Sequence, residues 1–332
     1  MGGRDHRWHI TSALVLALGC ASPSSSSPAG STGVEGSDSS AQTGVAESSS
    51  SGSSSSDGST GGSSSSSDSS SGEPLTCNGS TALCDRSYDQ VVFPGTHNSV
   101  AATESGFASL NANQTHPITT QLEDGIRVLL LDVTYDGDET ALCHGPCSLG
   151  SRPHIEVLLE LRGFMDANPD AVLTIIYQDS VEPADVEADF VEAGLVDFTY
   201  THEGGAWPTL GEMVTSGERL VVTAENEGPP PAWYQHVWDL TFDTPFTFMD
   251  PSEFSCALNR GQADNPLFLI NHWLNTDANL PDRAAAPLAN SADVLTQRVE
   301  DCREATGRLP TFLAVDFYEE GDLFEVVQAL NE

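Results

Sequence analysis

Short runs of apolar residues alternate with amphipathic stretches through most of the chain after about residue 85, and this alternation constrains the fold more than any other feature. Several of the runs are continuous, as in Val172-Leu173-Thr174-Ile175-Ile176. Strands that are apolar without interruption are typical of a parallel sheet whose two faces are both covered by helices. The pattern therefore predicts an α/β fold, a distorted TIM-type (β/α)8 barrel in which the strand count need not be regular.

The predicted strands and helices follow one another along the sequence. The strand-like runs cover residues 90–94, 127–134, 140–144, 171–177, 219–223, 266–271 and 311–316. The helix-like stretches cover residues 154–168, 182–193, 209–216, 291–306 and 321–330. The second of these stretches has acidic residues in its first turn and is followed by Gly194, as expected of a capped helix.

Polar side chains with acid–base chemistry stand where the predicted strands end. They are His97, Asp132, His144, Asp179, Asn271, His272 and Asp316. The carboxyl ends of the strands form the active site in (β/α)8 barrels, so these side chains are expected to face one another. Two histidines and a carboxylate suit acid–base catalysis, because imidazole titrates near neutral pH. The alternative is structural: His272 then belongs to the barrel rim, and Asp316 only binds a neighbouring backbone group.

The beginning of the chain differs sharply from the rest. Residues 1–19 combine two arginines with a short apolar core, which predicts a secretory signal. The signal runs into a segment that is similar to a bacterial lipobox and predicts lipidation of Cys20, with ordinary signal cleavage as the alternative. Residues 20–74 are mostly Ser and Gly, which predicts a disordered tether. We therefore expect an exported protein, anchored by lipid to the bacterial cell envelope at the outer membrane or cell surface.

Six cysteines follow the predicted lipidation site. They are Cys77, Cys84, Cys143, Cys147, Cys256 and Cys302. An even number of cysteines in an exported domain indicates disulfide bonds. Close spacing favours Cys77–Cys84 and Cys143–Cys147, which leaves Cys256–Cys302, although other pairings stay open. A zinc site at Cys143 and Cys147 is the alternative, but no second close pair of ligands accompanies it.

The net charge of the chain is strongly negative. There are 12 basic and 49 acidic residues, which gives a formal charge of −37. Binding to nucleic acid is excluded as a function, because phosphate backbones are bound by basic surfaces. Acidity of this kind usually indicates solubility, a saline habitat or cation binding, and it does not select a fold. It also opposes electrostatic docking onto anionic lipid.

Several motifs occur in an order that points to one family. They are Phe93-Pro94-Gly95-Thr96-His97-Asn98-Ser99, Gly125-Ile126-Arg127, Leu131-Asp132-Val133, Cys143-His144-Gly145, Trp207-Pro208-Thr209-Leu210-Gly211-Glu212-Met213, Asn271-His272 and Ala314-Val315-Asp316-Phe317-Tyr318. Together they resemble the X-region of phosphatidylinositol-specific phospholipases C. The resemblance is closest to the secreted and anchored X-domain proteins of bacteria, fungi and plants. It covers residues 85–332 and indicates a single PLC-like phosphodiesterase barrel over residues 75–332, expected to be a monomer.

The resemblance implies cleavage of a phosphodiester by two histidines. His97 would be the general base that takes a proton from the inositol 2-hydroxyl. His144 would be the general acid that protonates the diacylglycerol oxygen as it leaves. The product would be a cyclic inositol phosphate, opened later by water. Asp316 matches a carboxylate that orients the first histidine, which fixes the tautomer of a catalytic imidazole.

The resemblance also bears on a cation at the phosphate. Metal-dependent members bind calcium, whereas metal-independent members place an arginine where this chain has Asp132. Asn98 and Asp132 match calcium ligands, but Leu130 and Gln178 stand at two other ligand positions. Asp179, next to Gln178, or acids of the loop at 136–139 are candidates to complete an oxygen shell for Ca²⁺.

The identity of the substrate stays open at this level. We expect a phosphatidylinositol-like lipid or a glycolipid, bound at a membrane. The basic residue that contacts inositol in metal-independent members has no counterpart here, so His272 and Trp273 are candidates to line a different head-group pocket. Two alternatives remain: a non-catalytic barrel that serves as a surface binding module, and a phosphodiesterase acting on glycerophosphodiesters or sphingomyelin.

Overall fold

The computed structural model describes residues 74–332. The predicted signal peptide, Cys20 and nearly all of the predicted tether lie outside the described residues, so these three stay predictions. None of the helices within residues 74–332 is long and apolar enough to cross a membrane.

The strands of the described domain form a single sheet. They are β1 (Phe93–Thr96), β2 (Val128–Asp136), β3 (Glu139–Leu142), β4 (Arg152–Pro153), β5 (Leu173–Asp179), β6 (Thr199–Tyr200), β7 (Leu220–Ala224), β8 (Tyr234–His236), β9 (Thr241–Asp243), β10 (Leu267–His272) and β11 (Phe312–Val315). Every strand predicted from the sequence is present to within a few residues. The strands that the sequence pattern missed are β4, β6, β8 and β9, which have only two or three residues each.

The order of the strands is that of an incompletely closed barrel. Neighbours along the path β6-β7-β5-β2-β1-β11-β10-β9 are parallel. Strand β8 pairs in parallel with β7, and β2, β3 and β4 form an antiparallel extension. Within residues 74–332, no strand pairing joins β9 to β6 or β8. The fold is therefore α/β with a curled parallel sheet, as the apolar runs predict, and the barrel is open on one side.

Helices connect most of the parallel strands. They are α1 (Ile118–Asp124), α2 (His154–Ala167), α3 (Pro183–Ala193), α4 (Leu210–Ser216), α5 (Val237–Leu240), α6 (Ala286–Ala289), α7 (Ala292–Thr306) and α8 (Leu323–Leu330). All five predicted helices are present. The helices α1, α5 and α6 span two turns or less, which is too short for a helical period to be recognised in the sequence.

Close packing of β1 against its neighbours brings the ends of the strands together. A Cβ atom built on Gly95 would lie 3.0 Å from the Cβ of Val128 in β2, so glycine permits this approach. Strand β5 is buried along its length except at Gln178, because helices cover one face and the barrel interior the other. This arrangement places the residues that follow β1, β10 and β11, together with Asp132 within β2, at one end of the barrel.

Three disulfide bonds confirm the pairing favoured by the spacing of the cysteines. Cys77 is bonded to Cys84, Cys143 to Cys147 and Cys256 to Cys302. The zinc alternative at Cys143 and Cys147 is therefore wrong, because both thiols are used in a covalent bond. The second disulfide closes the loop that carries His144, and the third joins the long loop after β9 to α7.

Candidate active site

His97 follows β1 directly and is paired with Asp316, which follows β11. The Nδ1 atom of His97 lies 2.9 Å from Oδ1 of Asp316. The carboxylate can only accept, so His97 donates its Nδ1–H and leaves Nε2 free at the cleft. Parallel pairing of β1 with β11 places the two residues side by side, since Thr96 is opposite Val315. The sequence predicted this pair, and the geometry has the form of an imidazole oriented by a carboxylate.

His144 lies in the loop that the Cys143–Cys147 disulfide closes. Its Nδ1 atom lies 2.8 Å from the backbone oxygen of Asn111, so it donates Nδ1–H there and its Nε2 is also left free. Burial lowers the pKa of His144, and the Asn111 carbonyl opposes this effect. The neutral form is therefore favoured in the free protein more than for an exposed histidine.

The two histidines face each other across the cleft. Their ring centroids are 6.4 Å apart and the ring planes are inclined by 64°. Trp273 lies flat against His97, with 3.7 Å between centroids and 6° between planes. All three side chains line the cleft together with Asn98 and Asp132. The structure thus brings together five of the eight residues predicted for catalysis, substrate and metal, and Asp316 lies directly behind them.

Asn98 and Asp132 stand on the floor of this cleft. Asn98 has a left-handed backbone (φ 44°), which asparagine tolerates better than most residues, and its amide donates to Asn113 at 3.2 Å. Burial raises the pKa of the Asp132 carboxyl to about 6, an effect that His97 opposes and Glu225 reinforces. Asp132 is thus a carboxylate in an environment that resists its charge.

Asp179 does not join the other predicted metal ligands, which corrects the sequence prediction. It is buried, and its two oxygens accept from the backbone N–H groups of Asn226 at 2.8 Å and Glu227 at 3.0 Å. Successive side chains of a strand point to opposite faces, and on β5 it is Gln178 that lines the cleft. The carboxylate of Asp179 stabilises the loop after β7.

The set of calcium ligands predicted from the sequence is incomplete at the cleft. Asn98 and Asp132 reach the cleft, but Leu130 contributes no oxygen and Asp179 is engaged elsewhere. No group of three or more His, Cys, Asp or Glu side chains within residues 74–332 is arranged to hold a metal ion. Two of the predicted ligands, Asn98 and Asp132, therefore remain at the cleft, which is fewer than the oxygen shell that Ca²⁺ prefers.

The sequence prediction that His272 lines a head-group pocket is also wrong. Its side chain is fully buried on the outer face of β10, where Nε2 contacts the backbone oxygen of Ala289 at 2.8 Å. Burial lowers its pKa to about 4. Its neighbours Asn271 and Trp273 line the cleft instead, as the alternation along a strand requires. His272 is a structural histidine, whereas Trp273 lines the cleft.

The long loop after β9 contributes a basic side chain that sequence patterns missed. Arg260 donates to Asp243 at 2.6 Å and to Glu225 at 2.9 Å, and its guanidinium packs over Trp238. It therefore joins the end of β9 to the end of β7 across the open side of the barrel. Within residues 74–332, Arg260 is the one arginine that lines the cleft. No motif surrounds it, so only the fold reveals its position.

A protein-family model and several known proteins are similar to this chain. The model of the PI-PLC X domain (PI-PLC X 1) matches residues 83–331. A "PI-PLC X domain-containing protein 1" from the fungus Arthroderma benhamiae is 29% identical over 280 residues, which are 78% of this chain and 90% of the relative. An "uncharacterized secreted protein" from the same fungus is 29% identical and covers 77% of this chain. A PI-PLC X domain-containing protein of Arabidopsis thaliana is 31% identical and covers 66%.

These relatives are fungal and plant proteins, so they give no support to a bacterial lipoprotein. The chain spans 64% and 55% of the length of the second and third relatives. Among solved structures, the phosphatidylinositol-specific phospholipase C of Listeria monocytogenes is similar with 17% identity and a TM-score of 0.49, over 75% of this chain and 96% of that one. The corresponding enzyme of Staphylococcus aureus gives 14% identity and a TM-score of 0.46, over 75% and 94%.

Proposed function

The chain belongs to the PI-PLC X domain family, and from this premise we propose that it cleaves a phosphodiester by two-histidine acid–base catalysis. The observation that carries the proposal is the arrangement of His97 and His144. Each ring is held through Nδ1, so each presents Nε2 to the same cleft from opposite sides. A phosphate between them has one nitrogen near the attacking oxygen and another near the leaving oxygen.

The proposed proton transfers follow from the two environments. His97 Nε2 takes the proton of an attacking hydroxyl, whose oxygen forms a bond to phosphorus. The bond from phosphorus to the leaving oxygen breaks, and His144, in its protonated imidazolium form, donates its Nε2 proton to that oxygen. Asp316 stabilises the positive charge that develops on His97. Each such transfer contributes roughly 10²- to 10⁴-fold to the rate.

Charge on the phosphate oxygens needs a positive group nearby. Because the predicted set of calcium ligands is incomplete, we derive no step through a metal ion. Arg260 is the permanent cation at the cleft, although two carboxylates already share its charge. The amide of Asn98, on the floor of the cleft, is a further donor for a phosphate oxygen.

A lipid or glycolipid substrate is supported by apolar side chains at the rim. Leu110 is 57% exposed and precedes Asn111, which binds His144. Phe246 lines the cleft and is 39% exposed, and Met249 in the same loop is 50% exposed. Apolar groups exposed on loops at one mouth are suited to contact a lipid surface. Export is supported by the three disulfides and by a relative that is named as secreted.

A second candidate is a phosphodiesterase for lipids with a cationic head group. Asp132 and Glu225 line the cleft beside Phe246 and Trp273, and acidic groups beside aromatic rings favour a quaternary ammonium group. The two candidates differ in the product they release. Choline from sphingomyelin or lysophosphatidylcholine would favour the second, whereas a cyclic inositol phosphate would favour the first.

The experiment is an assay of residues 75–332 on phosphatidylinositol, on an aryl inositol phosphate and on choline lipids, each with calcium and with EDTA. The proposal predicts turnover of at least one phosphodiester, retained in EDTA. Turnover lost in EDTA would restore the calcium prediction. No turnover of any substrate would contradict the proposed activity and favour a binding module.

A further inference from the structure

A three-residue segment, Asn111 to Asn113, contacts both histidines of the cleft. The backbone oxygen of Asn111 accepts from His144, and the Asn111 amide donates to the backbone oxygen of His144. Two residues later, the buried side chain of Asn113 reaches the His97–Asp316 pair. None of the sequence motifs includes this segment.

The amide of Asn113 is bound at both of its ends. Its Nδ2 donates to Asp316 Oδ1 at 3.0 Å and Oδ2 at 2.9 Å. Its Oδ1 accepts from Asn98 at 3.2 Å. Nδ2 also lies 3.2 Å from His97 Nδ1, so the two N–H groups approach the same carboxylate side by side. A carboxylate that accepts both groups cannot rotate without losing them.

The backbone holds Asn113 at the same place. Its N–H donates to the oxygen of Ala101 at 2.9 Å, and its carbonyl accepts from the N–H of Phe317 at 2.8 Å. Phe317 follows Asp316 in the chain, so Asn113 is tied to the strand end whose carboxylate it binds. The position of the amide is therefore set by the same backbone that sets Asp316.

We propose that Asn113 is a positioning residue, which fixes the Asp316 carboxylate so that His97 carries its proton on Nδ1 and presents Nε2 to the cleft. Without this amide, Asp316 turns away and the imidazole samples both tautomers. The expected effect on kcat rests on the proposed function, whereas the expected effect on the tautomer of His97 does not. Outer hydrogen-bond partners of this kind typically change activity by roughly 10- to 100-fold.

Asn290 offers a matched control. It is buried as deeply as Asn113, and its Nδ2 donates to the backbone oxygens of Asp316 at 2.8 Å and Phe317 at 3.2 Å. It contacts neither the carboxylate nor an imidazole. Asn290→Ala therefore removes a buried amide from the same strand end without touching the orientation of His97.

The test compares Asn113→Ala and Asn290→Ala by two measurements. Long-range ¹H–¹⁵N NMR spectra report the tautomer of His97, and steady-state kinetics separate kcat from KM. Asn113→Ala should convert a single Nδ1–H tautomer into a mixture and lower kcat about 10- to 100-fold with KM within about twofold. Asn290→Ala should keep the tautomer and kcat. If Asn113→Ala does not fold, Asn113→Leu keeps roughly the volume of the side chain without its amide, and is expected to give the same mixture.

A single Nδ1–H tautomer in a folded Asn113 variant would overturn the inference. Equal loss of kcat in both alanine variants would also overturn it, because the effect would then be one of packing. If the unaltered protein shows no turnover, the proposed activity fails, and the NMR measurement alone decides the role of Asn113.

Discussion

The indole of Trp273 covers one face of the His97 imidazole, in parallel planes 3.7 Å apart at their centroids. Flat stacking keeps the ring plane fixed while Asp316 sets the position of its edge. An aromatic face also stabilises the imidazolium that forms when His97 takes a proton. Strand β10 supplies this wall directly, since Trp273 follows it.

Replacement of Trp273 tests this contact. Trp273→Ala should lower kcat/KM about tenfold, because a cation–π contact in a partly buried site is worth about 1 to 2 kcal/mol. Trp273→Phe should lose less, since it keeps an aromatic face. Steady-state kinetics on the best substrate are the measurement, and equal activity of the alanine variant and the unaltered protein would contradict this role.

The dependence of rate on pH should reflect His144. Burial lowers its pKa below the ordinary value of 6.5. A general acid must be protonated in the free enzyme, so kcat/KM should fall as the pH rises through this lowered pKa. The optimum is therefore expected on the acidic side of neutrality. A profile of kcat/KM from pH 4 to 8 measures it, and a rate still rising above about pH 7 would contradict the assignment.

His272 should make the fold sensitive to acid. Its pKa is lowered from 6.5 to about 4 because burial disfavours the charged form of the ring. As the pH falls below 6.5, the unfolded chain binds this proton first, so stability that is present above 6.5 is lost progressively down to about pH 4. The loss from this group is about 3 kcal/mol. Urea unfolding at several pH values should show a shallower decline for His272→Gln, and identical slopes would refute the prediction.

The rim residues should govern binding to lipid surfaces. The double variant Leu110→Ser with Met249→Ser should bind phosphatidylcholine vesicles at least about tenfold more weakly, because two apolar side chains are lost from the contact. Val191, which is 63% exposed on α3, provides a matched control. Sedimentation with vesicles measures the difference. Equal loss in Val191→Ser would show that general surface hydrophobicity is responsible.

Much of the fold and part of the site could be predicted from the sequence. Continuous apolar runs revealed the parallel strands, and motifs at their ends located His97, His144 and Asp316. Asp179 and His272 were assigned wrongly because the prediction considered only their position at a strand end. Successive side chains of a strand point to opposite faces of the sheet, so only every second residue reaches the cleft. Alternation from Trp273 selects Asn271 on β10, whereas Gln178 is identified by its register opposite Asp132, which only the structure shows.

Other residues of the site could not be found in this way. Arg260 comes from an irregular loop and reaches the cleft only because β9 and β7 leave the barrel open between them. Asn113 is isolated from every motif, and its role depends on hydrogen bonds to Asn98, which lies just after β1, and to Asp316, which follows β11. Such contacts depend on tertiary structure and leave no local periodicity in the sequence.

The most direct test of the two-histidine account compares His97→Ala and His144→Ala on two leaving groups. An aryl oxide leaves without a proton, whereas the alkoxide of a lipid needs one. On a lipid substrate, both variants should lose roughly 10²- to 10⁴-fold, while surface His116→Ala should keep its activity. On an aryl phosphodiester, His144→Ala should recover most of the rate and His97→Ala should not. Equal losses of both variants on both substrates, or full activity of either on the lipid, would contradict the assignment of His97 as base and His144 as acid.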